Sequence, residues 1–136
     1  LPPGESGPPK KVRIIPLSVS APFHCSLMKP AEQKMRQFLE KIEFKKPDFP
    51  IVQNYTAKVS STAQEIRENL ILQVSAPVLW MQSMKTMQSL PVNQFVECGS
   101  GKVLQGLAKK IDPEKLKVYT TNTQEEFLAL NKELFN

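Results

Sequence analysis

The sequence predicts an α/β fold in one domain, and three observations lead there. Segments rich in β-branched residues alternate with stretches of helical apolar period. Two of the helical stretches open on a Thr-x-x-Glu pattern, Thr62-Ala63-Gln64-Glu65 and Thr123-Gln124-Glu125-Glu126, in which Thr and Glu can satisfy each other's backbone donors. A length of 136 residues leaves room for a single domain with a modest core. Strands separated by helices imply βαβ units and a largely parallel sheet flanked by helices.

Along the chain, residues 1–11 carry four prolines and two glycines and read as a linker or arm, because Pro-Pro denies both helix geometry and backbone donors. Residues 12–136 form the domain. Val12–Val19 (VRIIPLSV) reads as a short strand, with Pro16 arguing for an edge position. An amphipathic helix follows, opened by Pro30 and carrying Ala31, Met35, Phe38, Leu39 and Ile42 on one face. Pro47 and Pro50 close it ahead of a strand at Ile51–Ala57. The helix opened at Thr62 carries Ile66, Leu70 and Val74; Ala76-Pro77 restarts the chain as a helix bearing Trp80, Met84 and Met87. Methionines at that spacing read as core filler rather than as ligands. A strand at Gln94–Cys98, a helix with Val103, Leu104, Leu107 and Ile111, a strand at Lys117–Thr120 and a helix with Phe127, Leu130 and Leu134 complete the order.

Hydrophobic residues at 40% and charged residues at 23% match a globular chain and argue against wholesale disorder. No apolar run approaches the roughly 20 residues of a bilayer span. Eighteen Lys and Arg against thirteen Asp and Glu give a formal charge of +5, a surface that attracts acidic partners. The basic residues fall in pairs, and with only 7% aromatics no base-stacking platform is visible, so neither nucleic acid nor membrane is expected as a partner. Cys25 and Cys98 form no CxxC pair and no zinc spacing, and read as two reduced intracellular thiols.

Gly99-Ser100-Gly101-Lys102 stands between a strand and a helix, where backbone N–H groups can face an anion, but it fits neither GxxxxGK[ST] nor GxGxxG. A tight turn required by close helix–strand packing is the better reading. His24 is the single histidine. It ends a strand-like segment, where α/β active sites collect, and its imidazole suits a general base for a hydroxyl nucleophile. Cys25 beside it would point to the opposite face of an extended segment, which disfavours a Cys–His pair. A lone histidine is more often structural or merely exposed; the chain contains no Gly-x-Ser-x-Gly elbow, so if His24 is a base, the group it activates lies outside these residues.

Three ordered motifs carry a resemblance. Ser20-Ala-Pro-Phe-His24-Cys-Ser-Leu-Met28-Lys-Pro30 resembles the histidine segment of malonyl-CoA:acyl-carrier-protein transacylases. Gln73-Val-Ser-Ala-Pro-Val-Leu-Trp80 is similar to the family's segment in which a glutamine precedes a Pro-Val-x-Trp helix start. Phe95-Val-Glu-Cys-Gly-Ser-Gly-Lys-Val-Leu104 resembles its Glu-x-Gly-Pro-Gly-x-Val-Leu turn, with Ser100 in place of the proline. The resemblance runs from about Val12 to Thr121 and concerns only the family's C-terminal portion.

The resemblance implies the C-terminal part of an α/β-hydrolase-like core, without the N-terminal half and most of a small ferredoxin-like subdomain. It implies cytoplasmic transfer of a malonyl group from malonyl-CoA to the phosphopantetheine thiol of acyl carrier protein, in fatty-acid (or polyketide) synthesis. Malonyl-CoA is then a substrate, and no tightly bound cofactor or metal is implied. His24 matches the base and acid that serves the serine, and Gln73 matches the glutamine whose main-chain carbonyl orients the imidazole. Phe23 before His24 resembles the malonyl-type motif of related polyketide acyltransferases. The family's Gly-His-Ser-Leu-Gly elbow, oxyanion glutamine and malonyl-binding arginine do not occur, so the chain alone is expected to be inactive. A companion polypeptide carrying the elbow is the partner this implies. The alternative is a non-catalytic fragment or interaction module that binds a carrier protein or a companion chain.

Overall fold

The computed structural model describes residues 21–135; the arm at 1–11 and the strand expected at 12–19 lie outside the described residues. After a short 3₁₀ turn at Ser26–Met28 come α1 (Lys29–Leu39), β1 (Ile51–Val52), β2 (Val59–Ser60), α2 (Ala63–Leu72), α3 (Trp80–Gln88), β3 (Gln94–Glu97), α4 (Val103–Ile111), β4 (Lys117–Thr120) and α5 (Gln124–Phe135). Among the described residues no helix is long and apolar enough to cross a membrane.

The α/β class holds, and its parallel unit is β3–α4–β4. Gln94 pairs with Lys117 and Glu97 with Thr120, all in parallel register. A crossover helix is the short solution that returns a chain to a parallel neighbour. Met84, Ala108 and Leu116 form the core beneath this pair, with Trp80, Met87, Phe95, Ile111 and Val118 packed around them. The methionine stripe of α3 is therefore core, with Met84 only 2% exposed. A cavity of about 170 Å³ opens between α3, β3 and α4, bounded by Trp80, Met84, Phe95, Val96 and Leu104.

The expected strand at Ile51–Ala57 is shorter and joins a different sheet. Only Ile51 and Val52 are extended; they pair antiparallel with Ser60 and Val59. The chain reverses between them through Ala57, held in the left-handed region at φ 54° with its N–H on the Gln53 carbonyl at 2.8 Å. This hairpin is anchored by a buried polar cluster. Asn69 Nδ2 donates to Gln53 Oε1 at 2.9 Å and to Ser60 Oγ at 3.3 Å, while Gln53 Nε2 donates to the Ile66 carbonyl at 3.0 Å. Such groups are stable in a core only when their partners are in place.

The helix starts follow the local chemistry. Pro30 sits in the first turn of α1. Thr62 Oγ1 accepts from Glu65 N, and Thr123 Oγ1 accepts from Glu126 N, each at 3.2 Å. The helix expected directly after Ala76-Pro77 begins at Trp80. The apolar stripe expected on α1 does not face the core: Met35 is 40% and Phe38 72% exposed, and the helix's one buried side chain is Glu32. Its inward face is ionic, with Arg36 forking onto Glu68 of α2 through Nη1 at 2.8 Å and Nη2 at 2.5 Å.

Candidate functional site

His24 adopts φ 59°, in the left-handed region. Histidine is among the residues enriched there, and the conformation makes a sharp corner between Ala21-Pro22-Phe23 and the 3₁₀ turn. The Phe23 N–H closes back on the Ala21 carbonyl at 2.9 Å, and the Met28 N–H on that of Cys25 at 3.0 Å. The corner leaves the imidazole exposed on one side and meeting the α2–α3 connection on the other.

Gln73 caps the C-terminus of α2, where the last carbonyls of a helix have no partner within it. His24 Nδ1 lies 3.2 Å from the Gln73 carbonyl oxygen and 3.2 Å from that of Ala76. Carbonyl oxygens only accept, so Nδ1 carries a proton, and in the neutral ring the lone pair then sits on Nε2. The Gln73 side chain takes no part in this contact; its main chain does. Ala76 is a second acceptor that the sequence reading passed over. The available signal was Pro77, which has no N–H and pushes the residue before it out of helical geometry.

Cys25 does not pair with His24. Its Sγ donates to the Pro22 carbonyl at 3.1 Å. The separation expected from an extended segment arises here from the left-handed corner at His24 instead.

The turn at Gly99-Ser100-Gly101-Lys102 is real, but its cause differs from the expected close packing. Gly99 has φ 130° and Gly101 φ 92°, while a Cβ added at either would meet nothing within 4 Å. The glycines serve the backbone angle. Two of the α4 N–H groups that could have faced an anion, those of Leu104 and Gln105, are already taken. Glu97 Oε1 accepts from Leu104 N at 3.0 Å and Oε2 from Gln105 N at 2.9 Å. Lys102 is likewise committed, to Glu126 at 2.6 Å. Glu126 also receives Thr120 Oγ1 at 2.8 Å and Asn122 N at 3.0 Å; the Lys102 ammonium first, and the Thr120 hydroxyl next, hold its pKa down at about 2. Gly101 N donates to Asn122 Oδ1 at 2.6 Å, so the loops after the two parallel strands are tied together.

No family model matches the chain. The malonyl CoA-acyl carrier protein transacylase of Bacillus subtilis is 38% identical over 84% of this chain, and the match covers 39% of that relative. Among solved structures, the malonyl transacylase of Streptococcus pneumoniae superposes with a TM-score of 0.84 at 38% identity, over 90% of this chain and 40% of that one. A malonyl-transacylase solved in complex with its type II polyketide acyl-carrier protein matches at a TM-score of 0.81 and 38% identity, over 88% of this chain and 38% of that one. The chain thus spans about two fifths of the length of the relatives it matches. Sequence identity and fold agree: over most of its length the chain is similar to the C-terminal portion of malonyl-CoA:acyl-carrier-protein transacylases.

Proposed function

We propose that this chain supplies the histidine portion of a malonyl transferase that moves a malonyl group from malonyl-CoA to the phosphopantetheine thiol of acyl carrier protein in fatty-acid synthesis. The observation that carries the reading is the placement of two main-chain carbonyls on His24 Nδ1. They do what a triad carboxylate does elsewhere: they fix the tautomer and aim Nε2 outward. They also stand at the C-terminal end of α2, where the helix dipole presents partial negative charge to the ring.

In this reading Nε2 of His24 takes the proton of a serine hydroxyl as its oxygen attacks the malonyl thioester. The carbon–sulfur bond then breaks, and the departing coenzyme A thiolate takes the proton back. The carrier-protein thiol attacks the resulting ester by the same route, its proton passing through Nε2 to the serine oxygen. Gln73 and Ala76 are positioning residues. No Gly-x-Ser-x-Gly serine occurs in these 136 residues, and the chain assayed alone is expected to transfer nothing. Exposed Val96 and Leu104 at the cavity beside β3, with exposed Val103 and Leu107 on α4, support a companion surface for the portion that carries the serine. The relative solved with an acyl-carrier protein supports that acceptor.

The test combines the chain with a polypeptide bearing the Gly-x-Ser-x-Gly portion of a relative, adds malonyl-CoA and carrier protein, and follows malonyl-carrier protein by intact mass. Turnover is expected only in the combination, and His24→Ala lowers it by about 10²–10⁴-fold. Transfer that survives His24→Ala overturns the assignment, and transfer by the chain alone overturns the need for an external serine.

A further inference from the structure

Glu32 is the one carboxylate among the described residues to be buried, at 7% exposure, on a helix whose apolar side chains Met35 and Phe38 face solvent. A carboxylate withdrawn from water is costly unless its oxygens are occupied. Those of Glu32 are. Lys29 Nζ reaches them at 3.0 and 2.7 Å, and Ser75 Oγ donates to Oε2. The Lys29 ammonium first, and the Ser75 hydroxyl next, hold its carboxyl below the ordinary glutamate value against burial, which pushes the other way.

Ser75 lies inside the turn whose ends, Gln73 and Ala76, present the two carbonyls to His24. That turn is weakly closed by its own backbone. Ala76 N reaches the Gln73 carbonyl, and Val74 N that of Ile71, each at 3.3 Å, longer than the usual N–H···O distance. His24 and Glu32 belong to one continuous segment, joined through the 3₁₀ turn and the first turn of α1. That segment therefore grips the turn at two points, the ring on its carbonyls and the carboxylate on its hydroxyl.

We infer that Glu32 and Ser75 are positioning residues for His24: the carboxylate anchors the Ser75 hydroxyl and so keeps the Gln73 and Ala76 carbonyls aligned on Nδ1. The inference rests on the proposed role of His24, and it extends the orienting apparatus from the α2 terminus to α1.

His24 is the single histidine of the chain, so its ring ¹⁵N resonances are assigned without ambiguity. Long-range ¹H–¹⁵N spectra of the full chain, followed to the alkaline plateau of the ring resonances, read the ratio of Nδ1–H to Nε2–H tautomers. The unmodified chain is expected to be mainly Nδ1–H. Ser75→Ala and Glu32→Ala each lower the ratio about fivefold, the scale of one lost hydrogen bond, and Ser75→Thr, which keeps the hydroxyl, retains it. Ser75→Ala removes one oxygen at a half-buried position away from the Met84–Ala108–Leu116 core, so the folded chain remains available for the measurement. A ratio within about twofold of the unmodified chain in either alanine variant overturns the inference. So does an equal fall in Ser75→Thr and Ser75→Ala, because the effect is then one of shape rather than of the hydroxyl. An unmodified chain that is mainly Nε2–H overturns the reading of His24 itself, and this inference with it.

Discussion

Asn69→Ala removes the amide at the centre of the buried cluster that joins the hairpin to α2. Two donations are lost, to Gln53 Oε1 at 2.9 Å and to Ser60 Oγ at 3.3 Å. Both acceptors are enclosed, Gln53 at 7% and Ser60 at 0% exposure, so neither recovers a partner from solvent. One good hydrogen bond contributes about 1 kcal/mol net, and a buried acceptor left unpaired costs about 1–3 kcal/mol more. The 3.3 Å contact adds little. The expected loss is about 2–4 kcal/mol, a large share of the 5–15 kcal/mol typical of a domain. Urea unfolding followed through Trp80, the only tryptophan, measures it directly. The damage should also reach the site, since the Asn69 carbonyl accepts the Gln73 N–H at 3.0 Å on the same turn of α2. Pairing Asn69→Ala with Gln53→Ala isolates the contact, and a coupling of about 1 kcal/mol is expected. A loss under about 0.5 kcal/mol with an unchanged slope would show that the cluster is not a structural tie, and the account of the hairpin would fall.

Two further predictions concern the loops after β3 and β4. Glu97→Ala uncaps α4 by freeing the N–H groups of Leu104 and Gln105; it should cost about 1–2 kcal/mol in urea unfolding and speed hydrogen exchange at those two amides. Glu126 has its pKa depressed in the folded chain to about 2, so its contribution to stability is complete above the unfolded carboxylate value of about 4.3 and is lost as the pH falls from there toward 2. Unfolding midpoints taken across that window should drop with falling pH, and Lys102→Met should flatten the drop by removing the principal cause of the depression.

Local chemistry made the order of elements legible. Helical periods, the two threonine caps and the prolines that open or end segments act within one turn of chain, and α2, α4, β3, β4 and α5 stand where those signals put them, while α3 starts later than its proline signal, at Trp80. The candidate site was legible from the place of His24 at the end of a strand-like segment and, for Gln73, only through motif resemblance, since Gln73 meets the ring through a carbonyl that every residue possesses. Contacts between residues far apart in sequence settled the rest. His24 meets Gln73 and Ala76 across 49 and 52 positions, and no periodicity encodes such a meeting. The pairing of Val59 and Ser60 with Val52 and Ile51 depends on a reversal at Ala57 that has no glycine to announce it. The inversion of α1 makes the same point. Hydropathy grouped Phe38 with the apolar face, yet Phe38 is exposed and Glu32 is buried, because burial of a charge is decided by what stands opposite it, here Lys29 and Ser75. Apolar pattern reports the preference of a side chain for leaving water; only the folded chain supplies the partners that can outweigh it.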